Sequence, residues 1–203
     1  MKLLLTSDGL KNQTLIDALI GLVGKPAKNT RVAFIPTAAN VEVEDKGWLI
    51  DNLSELKDLC FEWLDIVDVA ALSPEQSLSR LESVDVIVVG GGDTEYLVER
   101  LRKAKLDEAF TSWLDDKVFV GISAGSVMTS KIINPKGNSG LGWVKFLVVP
   151  HMGSAFATRT ADQIDAVAKR LAVKIYWIDG NSAVQVDEAE VTVVGGESQV
   201  FEG

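Results

Sequence analysis

Short runs of apolar residues alternate along the chain with longer segments whose apolar positions recur at helical spacing. Several runs are continuously apolar, which is typical of strands buried on both faces of a parallel sheet. The predicted strands are Lys2–Thr6, Val32–Pro36, Trp63–Val67, Asp85–Val89, Val118–Ile122 and Phe146–Val149. The predicted helices are Asn12–Val23, Val43–Cys60, Ser73–Leu81, Thr94–Leu101, Leu106–Leu114 and Ala161–Ala172. This alternation predicts a doubly wound α/β fold, in which ligands bind at the carboxyl ends of the strands.

After residue 173 the pattern changes to short strands separated by turn residues. These strands are Lys174–Ile178, Ala183–Val186, Val191–Val194 and Gln199–Phe201. The spacing predicts that the sheet ends in a short antiparallel edge at its C-terminal side. We find no internal repeat or linker, so residues 1–203 are expected to form a single α/β domain.

The charge pattern argues against two classes of partner. The net charge is −9, and the sequence has no long basic run. Nucleic acids and anionic membranes are bound through clustered Lys and Arg, so neither is expected as a partner. The apolar run in MKLLLTSDGL is too short for a signal peptide, and no segment approaches a membrane span. These features favour a cytoplasmic protein, either a monomer or a homodimer.

The cysteine content limits the chemistry. Cys60 is the single cysteine, so an internal disulfide and a multi-cysteine metal site are both excluded. It lies in an apolar run, and we expect a buried, inert thiol. No metal and no cofactor is expected.

The stretch VFVGISAGSVMTS places a serine between two glycines where a predicted strand meets a possible helix. Small residues allow a tight strand–helix turn to pack against a sheet, which is a structural explanation of the pattern. The chemical explanation is that a G-x-S-x-G turn exposes its serine Oγ as a nucleophile. The pattern by itself leaves both explanations open, with Ser123 as the candidate nucleophile.

Two further features favour the chemical explanation. The single histidine, His151, follows an apolar strand and Pro150, so we expect it in a loop at the same sheet edge as Ser123. No other residue could serve as an imidazole base. The glycines after Val86–Val89 match neither a dinucleotide fingerprint nor a phosphate-binding loop. Gly91 or Gly92 could instead donate an N–H to an oxyanion, together with the N–H of Ala124.

These motifs resemble the aspartyl dipeptidase (dipeptidase E) and cyanophycinase family of serine peptidases. The resemblance extends to MKLLLTS at the start, AFIPTAA at Ala33–Ala39, the residues Leu141–Trp143 and IDGNSAVQV at Ile178–Val186. It implies a fold like that of class I glutamine amidotransferases. It also implies Ser123 as nucleophile, His151 as base, and the N–H groups of Gly92 and Ala124 as oxyanion hole. The implied reaction is hydrolysis of a small peptide, with N-terminal aspartyl dipeptides as the nearest substrate type.

The chain departs from the family in the third member of the triad. Family triads have an Asp or Glu between the serine and the histidine, and residues 124–161 contain neither. Asn134 or Asn138 could orient the imidazole, but an amide cannot neutralise an imidazolium. Asp179 could substitute for the missing acid. The departure therefore predicts a slow hydrolase with an atypical or missing acid.

Substrate recognition has weaker signals. Arg159 could pair with an acidic side chain or a terminal carboxylate, and Trp143 and Phe156 could line a small pocket. Three hypotheses follow: a serine dipeptidase, a hydrolase of another small amide or ester, and a non-catalytic binder of peptides or small molecules that retains the pocket. The absent acid favours the binder, whereas the serine turn, the glycines and His151 favour a hydrolase.

Overall fold

The computed structural model describes residues 1–134, 136–155, 157 and 159–203, and every predicted strand is present in it. The strands are β1 (Lys2–Thr6), β2 (Arg31–Ile35), β3 (Trp63–Ile66), β4 (Val86–Val89), β5 (Val118–Ile122), β6 (Phe146–Val149), β7 (Lys174–Ile178), β8 (Ser182–Asp187), β9 (Glu190–Gly195) and β10 (Ser198–Phe201). Boundaries differ from the predicted ones by a few residues at most.

The predicted helices are also present. They are α1 (Gln13–Val23), α2 (Gly47–Asp58), α3 (Pro74–Glu82), α4 (Thr94–Lys103), α5 (Leu106–Trp113), α6 (Ala124–Val127) and α7 (Ala161–Leu171). The largest difference is at α2, which begins at Gly47 because the Asp45 side chain accepts the Gly47 N–H in a turn ahead of the helix. Within the described ranges, no helix has both the length and the apolar content to cross a membrane.

The main sheet has the strand order β3-β2-β4-β5-β1-β8-β9. The strands from β3 to β1 are parallel to one another, and β8 and β9 add an antiparallel hairpin next to β1. This hairpin is the predicted antiparallel edge. The inner parallel strands β2, β4, β5 and β1 carry apolar residues on both faces because helices cover both sides of the sheet.

Consecutive residues of β1 show how the core is divided. Leu3 and Leu5 pack into one apolar cluster, whereas Leu4 packs into a second cluster with α1 on the opposite face. All three side chains are fully buried. Burying such a side chain contributes about 1.5–3 kcal/mol, so continuous apolar strands stabilise the sheet from both sides.

A second sheet, with the order β10-β7-β6, is separate from the main one. The sequence pattern predicted a single sheet, and on this point it was wrong. Ile164 and Ala168 of α7 pack against Leu147 and Ile175 of this small sheet, which gives it an apolar cluster of its own. β6 and β7 are parallel, and β10 is antiparallel to β7.

Cys60 is exposed, contrary to the expectation of a buried thiol. Helix α2 has ended at Asp58, and Cys60 takes a left-handed φ of 52° in the turn toward β3. The turn directs its side chain to solvent although its two neighbours in sequence are apolar.

The strand order brings three carboxyl ends together. β5 lies between β4 and β1, and the register pairs Thr6 with Ile122 and Val89 with Gly121. The loops that follow these three strands therefore start side by side at one edge of the main sheet. This edge is where an α/β sheet ordinarily binds ligands.

Candidate active site

Ser123 lies in the turn between β5 and α6, as the G-x-S-x-G pattern predicts. Its φ of 49° and ψ of −106° fall outside the conformations that residues with a Cβ ordinarily adopt. The turn is held because the Ser123 N–H donates to the Thr6 carbonyl at 3.1 Å, and its own carbonyl accepts the N–H groups of Ser126 and Val127. The half-buried serine thus stands at the carboxyl edge of the sheet.

The two flanking glycines are required by close packing. A Cβ on Gly121 would lie 2.5 Å from the Ser126 nitrogen, and a Cβ on Gly125 would lie 2.1 Å from the Val89 carbonyl oxygen. Both distances are far shorter than van der Waals contact. The glycines therefore let α6 approach β4 and β5. The structural explanation of the pattern thus holds, and Ser123 also stands at the carboxyl edge of the sheet.

His151 approaches Ser123 from the small sheet. It lies in the turn after β6, and its Nε2 is 2.9 Å from Oγ of Ser123. With the imidazole protonated at Nδ1, Nε2 accepts the proton of the Ser123 hydroxyl. His151 has a φ of 67°, and its carbonyl accepts both the N–H and the hydroxyl of Ser154.

A carboxylate lies on the other side of the imidazole. Nδ1 of His151 is 2.6 Å from Oδ1 of Asp8, in the loop after β1. Burial, the largest single effect, raises the pKa of the Asp8 carboxyl, whereas the hydrogen bond and charge of His151 and the hydrogen bond of Ser7 lower it. The charge of Lys11, whose Nζ lies 3.6 Å from Oδ2, lowers the pKa of Asp8 further, to below its ordinary 3.8. Asp8 is thus ionised at neutral pH.

The asparagines predicted to orient the imidazole do not do so. Asn134 donates from Nδ2 to Glu95 of α4 at 2.6 Å, and its Oδ1 accepts the backbone N–H of Lys136 at 2.9 Å. Asn138 lies in the same loop, where its N–H donates to Asn134 Oδ1 at 3.3 Å. Both belong to a loop that is tied to α4, whereas Nδ1 of His151 faces Asp8. A carboxylate from outside residues 124–161 therefore lies where the sequence analysis expected an atypical or missing acid.

Asp179, the predicted substitute acid, has a different role. Its Oδ1 accepts the hydroxyl of Ser182 at 2.6 Å and the N–H of Asn181 at 3.0 Å. The carboxylate thereby stabilises the turn between β7 and β8. The acid in contact with the histidine comes instead from the loop before α1.

The predicted oxyanion donors lie on either side of Ser123. Ala124 is the first residue of α6, so its N–H has no carbonyl one turn earlier to donate to. Gly92 has a φ of 126°, and a Cβ there would lie 2.2 Å from the Ala38 carbonyl oxygen. A Cβ on the neighbouring Gly91 would lie 3.4 Å from Cβ of Ser123, so the glycine loop passes directly alongside the serine.

Arg159 lies beside the histidine turn. It is exposed and, with Pro150 and Val127, lines a cavity of about 70 Å³. No ion pair involves Arg159 among the residues that the structure describes. The structure thus places a cation next to the strand end that carries His151.

Of the two aromatic residues predicted to line a pocket, Trp143 belongs to the core. Its ring centroid lies 4.9 Å from that of Phe119 and 6.2 Å from that of Phe110. Phe156 lies outside the described residues. A different indole reaches the site: Cζ3 of the half-buried Trp48 would be 3.5 Å from a Cβ on Gly91. Trp48 of α2 therefore forms a wall close to Ser123.

Asp8 and Trp48 are the site residues that the sequence analysis missed. A signal for Asp8 is present, since S-D-G directly follows the buried strand β1. Polar residues at the end of one parallel strand lie near those at the end of the next, but the pairing of β1 with β5 had to be known. Trp48 has no comparable signal. Among the described residues, no three His, Cys, Asp or Glu side chains are grouped to hold a metal ion.

The chain is similar to known peptidases in sequence. The model of peptidase family S51 matches residues 3–194. An uncharacterized peptidase of Listeria monocytogenes serovar 1/2a is 27% identical over 180 residues, covering 79% of this chain and 83% of that protein. Peptidase E of Nostoc sp. is 24% identical over 184 residues, covering 83% of this chain and 74% of that protein.

Two solved structures share the fold. A Listeria monocytogenes EGD-e protein, assigned provisionally to peptidase E, has a TM-score of 0.80 at 23% identity, covering 97% of this chain and 98% of its own. A peptidase from an acI-B1 Actinobacterium has a TM-score of 0.70 at 20% identity, covering 99% and 93%. These matches confirm the predicted α/β fold of the class I glutamine amidotransferase type.

Proposed function

Because the chain belongs to peptidase family S51, we propose that it is a serine peptidase of small peptides, with Ser123 as nucleophile, His151 as base and Asp8 as acid. One observation carries this proposal. A continuous path of contacts runs from Ser123 Oγ to Nε2 at 2.9 Å and from Nδ1 to the Asp8 carboxylate at 2.6 Å. This is the arrangement by which a serine hydroxyl is activated on unrelated folds.

The proposed reaction begins with attack of Ser123 Oγ on the scissile carbonyl carbon. Nε2 of His151 takes the hydroxyl proton, and the ionised Asp8 stabilises the imidazolium and keeps the Nδ1 tautomer. The N–H groups of Gly92 and Ala124 donate to the oxyanion. His151 then returns the proton to the leaving amine, and water hydrolyses the acyl-enzyme with His151 again as base.

For the substrate, we propose a dipeptide or similarly small peptide with an acidic N-terminal residue. The resemblance to aspartyl dipeptidases suggests it, and the positions of Arg159 and Lys11 support it. In a protein of net charge −9, Arg159 lines a cavity together with Pro150, the residue before His151, and Lys11 pairs with Asp8. A carboxylate of the substrate would gain a charge-assisted hydrogen bond from either cation. Trp48 would contact the substrate near Ser123.

A hydrolase of another small amide or ester remains the alternative within the same chemistry, because the path from Ser123 to Asp8 does not depend on the leaving group. The non-catalytic binder was favoured by an absent acid, and Asp8 removes that support. We also propose, as expected from the sequence, that residues 1–203 act as one domain in the cytoplasm, as a monomer or a homodimer.

Labelling with a fluorophosphonate tests the nucleophile directly. We expect the wild-type protein to be labelled once and to hydrolyse an aspartyl dipeptide, whereas Ser123→Ala abolishes both. Ser126→Ala is the matched control, because Ser126 is a buried serine in α6 whose hydroxyl donates to the Thr6 carbonyl. Labelling that persists in Ser123→Ala would exclude this serine as the nucleophile. An unlabelled wild-type protein that still binds dipeptides would restore the binder hypothesis.

A further inference from the structure

The hydroxyl of Ser7 lies between the base and the acid. Ser7 directly follows β1 and is fully buried. Its Oγ accepts the backbone N–H of His151 at 2.9 Å and donates to Oδ1 of Asp8 at 3.3 Å. We propose that Ser7 is a positioning residue, which couples the backbone of His151 to the carboxylate of Asp8 and keeps the imidazole aligned with Ser123. This inference rests on the proposed function of the same site.

The backbone of His151 needs such support. Its φ of 67° is in the left-handed region, which is unfavourable for a residue that carries a Cβ. Such conformations persist where surrounding contacts over-determine them. Ser154 binds the carbonyl of His151, and Ser7 binds its N–H. The Ser7 contact comes from the main sheet, so it holds the histidine turn against the sheet that carries Ser123.

The same hydroxyl orients the acid. Oδ1 of Asp8 faces both Nδ1 of His151 and the hydroxyl of Ser7, which restricts rotation of the carboxylate. On the opposite side, a Cβ on Gly180 would lie 2.5 Å from Oδ2, so the carboxylate is closely packed there. A hydroxyl can donate one hydrogen bond and accept another, and Ser7 uses both capacities on the two partners of the triad. Alanine retains neither, and cysteine retains both only weakly.

The test compares Ser7→Ala and Ser7→Cys with Thr30→Val. Thr30 is also fully buried, and its hydroxyl donates to the Pro26 carbonyl at 3.0 Å, at the amino end of β2 and thus away from the site. Thr30→Val removes one buried hydroxyl hydrogen bond, whereas Ser7→Ala removes two and Ser7→Cys weakens two, and each change alters the side-chain volume little. A purely structural role of Ser7 would therefore lower the melting temperature as Thr30→Val does and leave kcat unchanged.

We expect Ser7→Ala to lower kcat about ten- to a hundredfold, because small displacements of a catalytic group have effects of this size. KM should change by less than about twofold, since Ser7 does not face the substrate, and Ser7→Cys should lie between alanine and wild type. An unchanged kcat in folded Ser7→Ala, or an equal loss of kcat in Thr30→Val, would overturn the positioning role.

A spectroscopic measurement separates this inference from the proposed function. The chain has one histidine, so a proton resonance of a histidine Nδ1–H belongs to His151. We expect the low-field resonance to be present in wild type and Thr30→Val, and to be broadened or lost through solvent exchange in Ser7→Ala. If Ser123→Ala retains activity while the resonance behaves as expected, the proposed function fails and the positioning of His151 by Ser7 stands. A resonance in Ser7→Ala identical to that of wild type would overturn the inference whatever the activity.

Discussion

The main sheet and the small sheet contribute to the site in different ways. Ser123 and Asp8 follow β5 and β1, which are adjacent strands paired residue by residue and buried on both faces. His151 follows β6, which is one edge strand of the small sheet. The other edge strand of that sheet, β10, is largely exposed. The proposed nucleophile and acid are thus placed by ladder hydrogen bonds within one sheet, whereas the proposed base is placed by the packing of the two sheets. We expect the site to be most sensitive where the two sheets meet.

The largest expected effect concerns the acid, which the main sheet supplies. Asp8→Asn should lower kcat by about 10⁴, because the amide leaves the imidazolium without its counter-charge and can stabilise the wrong tautomer. KM for an aspartyl dipeptide should change far less. Steady-state kinetics of the purified variant measure both constants.

The matched control is Asp179→Asn, at the acid that the sequence analysis proposed as a substitute. Asp179 stabilises the turn between β7 and β8, so its loss should reduce stability and leave most of kcat. If Asp179→Asn loses kcat and Asp8→Asn does not, the assignment of the acid to the main sheet is wrong.

A steric change at the connection of the two sheets has the next largest expected effect. Gly180 lies in the turn between β7 of the small sheet and β8 of the main sheet, and a Cβ there would lie 2.5 Å from Oδ2 of Asp8. Gly180→Ala should displace the carboxylate and lower kcat about ten- to a hundredfold.

Gly21→Ala is the control for Gly180→Ala, since a Cβ on Gly21 of α1 meets no atom within 4 Å. In a helix interior this change should be neutral or stabilising, by up to about 1 kcal/mol. Kinetics and thermal melting of both variants test the comparison. If Gly180→Ala keeps the wild-type kcat, the reaction does not depend on the exact position of the Asp8 carboxylate.

The smallest expected effect compares the cores of the two sheets. Ile175 in the small sheet and Ile87 in the main sheet are both fully buried, and replacement by valine costs about 0.5–1.5 kcal/mol at such a position. Ile175→Val should also lower kcat a few-fold, because it loosens the packing of the sheet that carries His151. Ile87→Val should lose stability and keep kcat. Equal kinetic effects from the two variants would show that the small sheet is no more sensitive than the main one.

The helices and strands could be predicted from the sequence. So could two of the three residues of the proposed triad, Ser123 and His151. Continuous apolar runs indicate buried parallel strands wherever they occur, so β1, β4 and β5 are identified from local pattern. The glycines at 121 and 125 identify the turn of Ser123, because close packing at those positions admits no Cβ. His151 was identified by elimination, as the single histidine of the chain. These features are local, and a sequence displays local features directly.

The carboxylate that contacts His151, the proposed acid Asp8, was decided by tertiary structure. Asp8 and His151 are 143 positions apart in the chain, and they meet because β1 pairs with β5 and the small sheet folds back on that edge. The resemblance to the family pointed to an acid between Ser123 and His151, where the sequence has Asn134 and Asn138, and strand order, which would point to Asp8, cannot be read from the sequence. Separation of β6, β7 and β10 into a second sheet was decided in the same way, by packing against α7. Contacts between distant segments depend on which surfaces bury each other, and only the folded chain determines that.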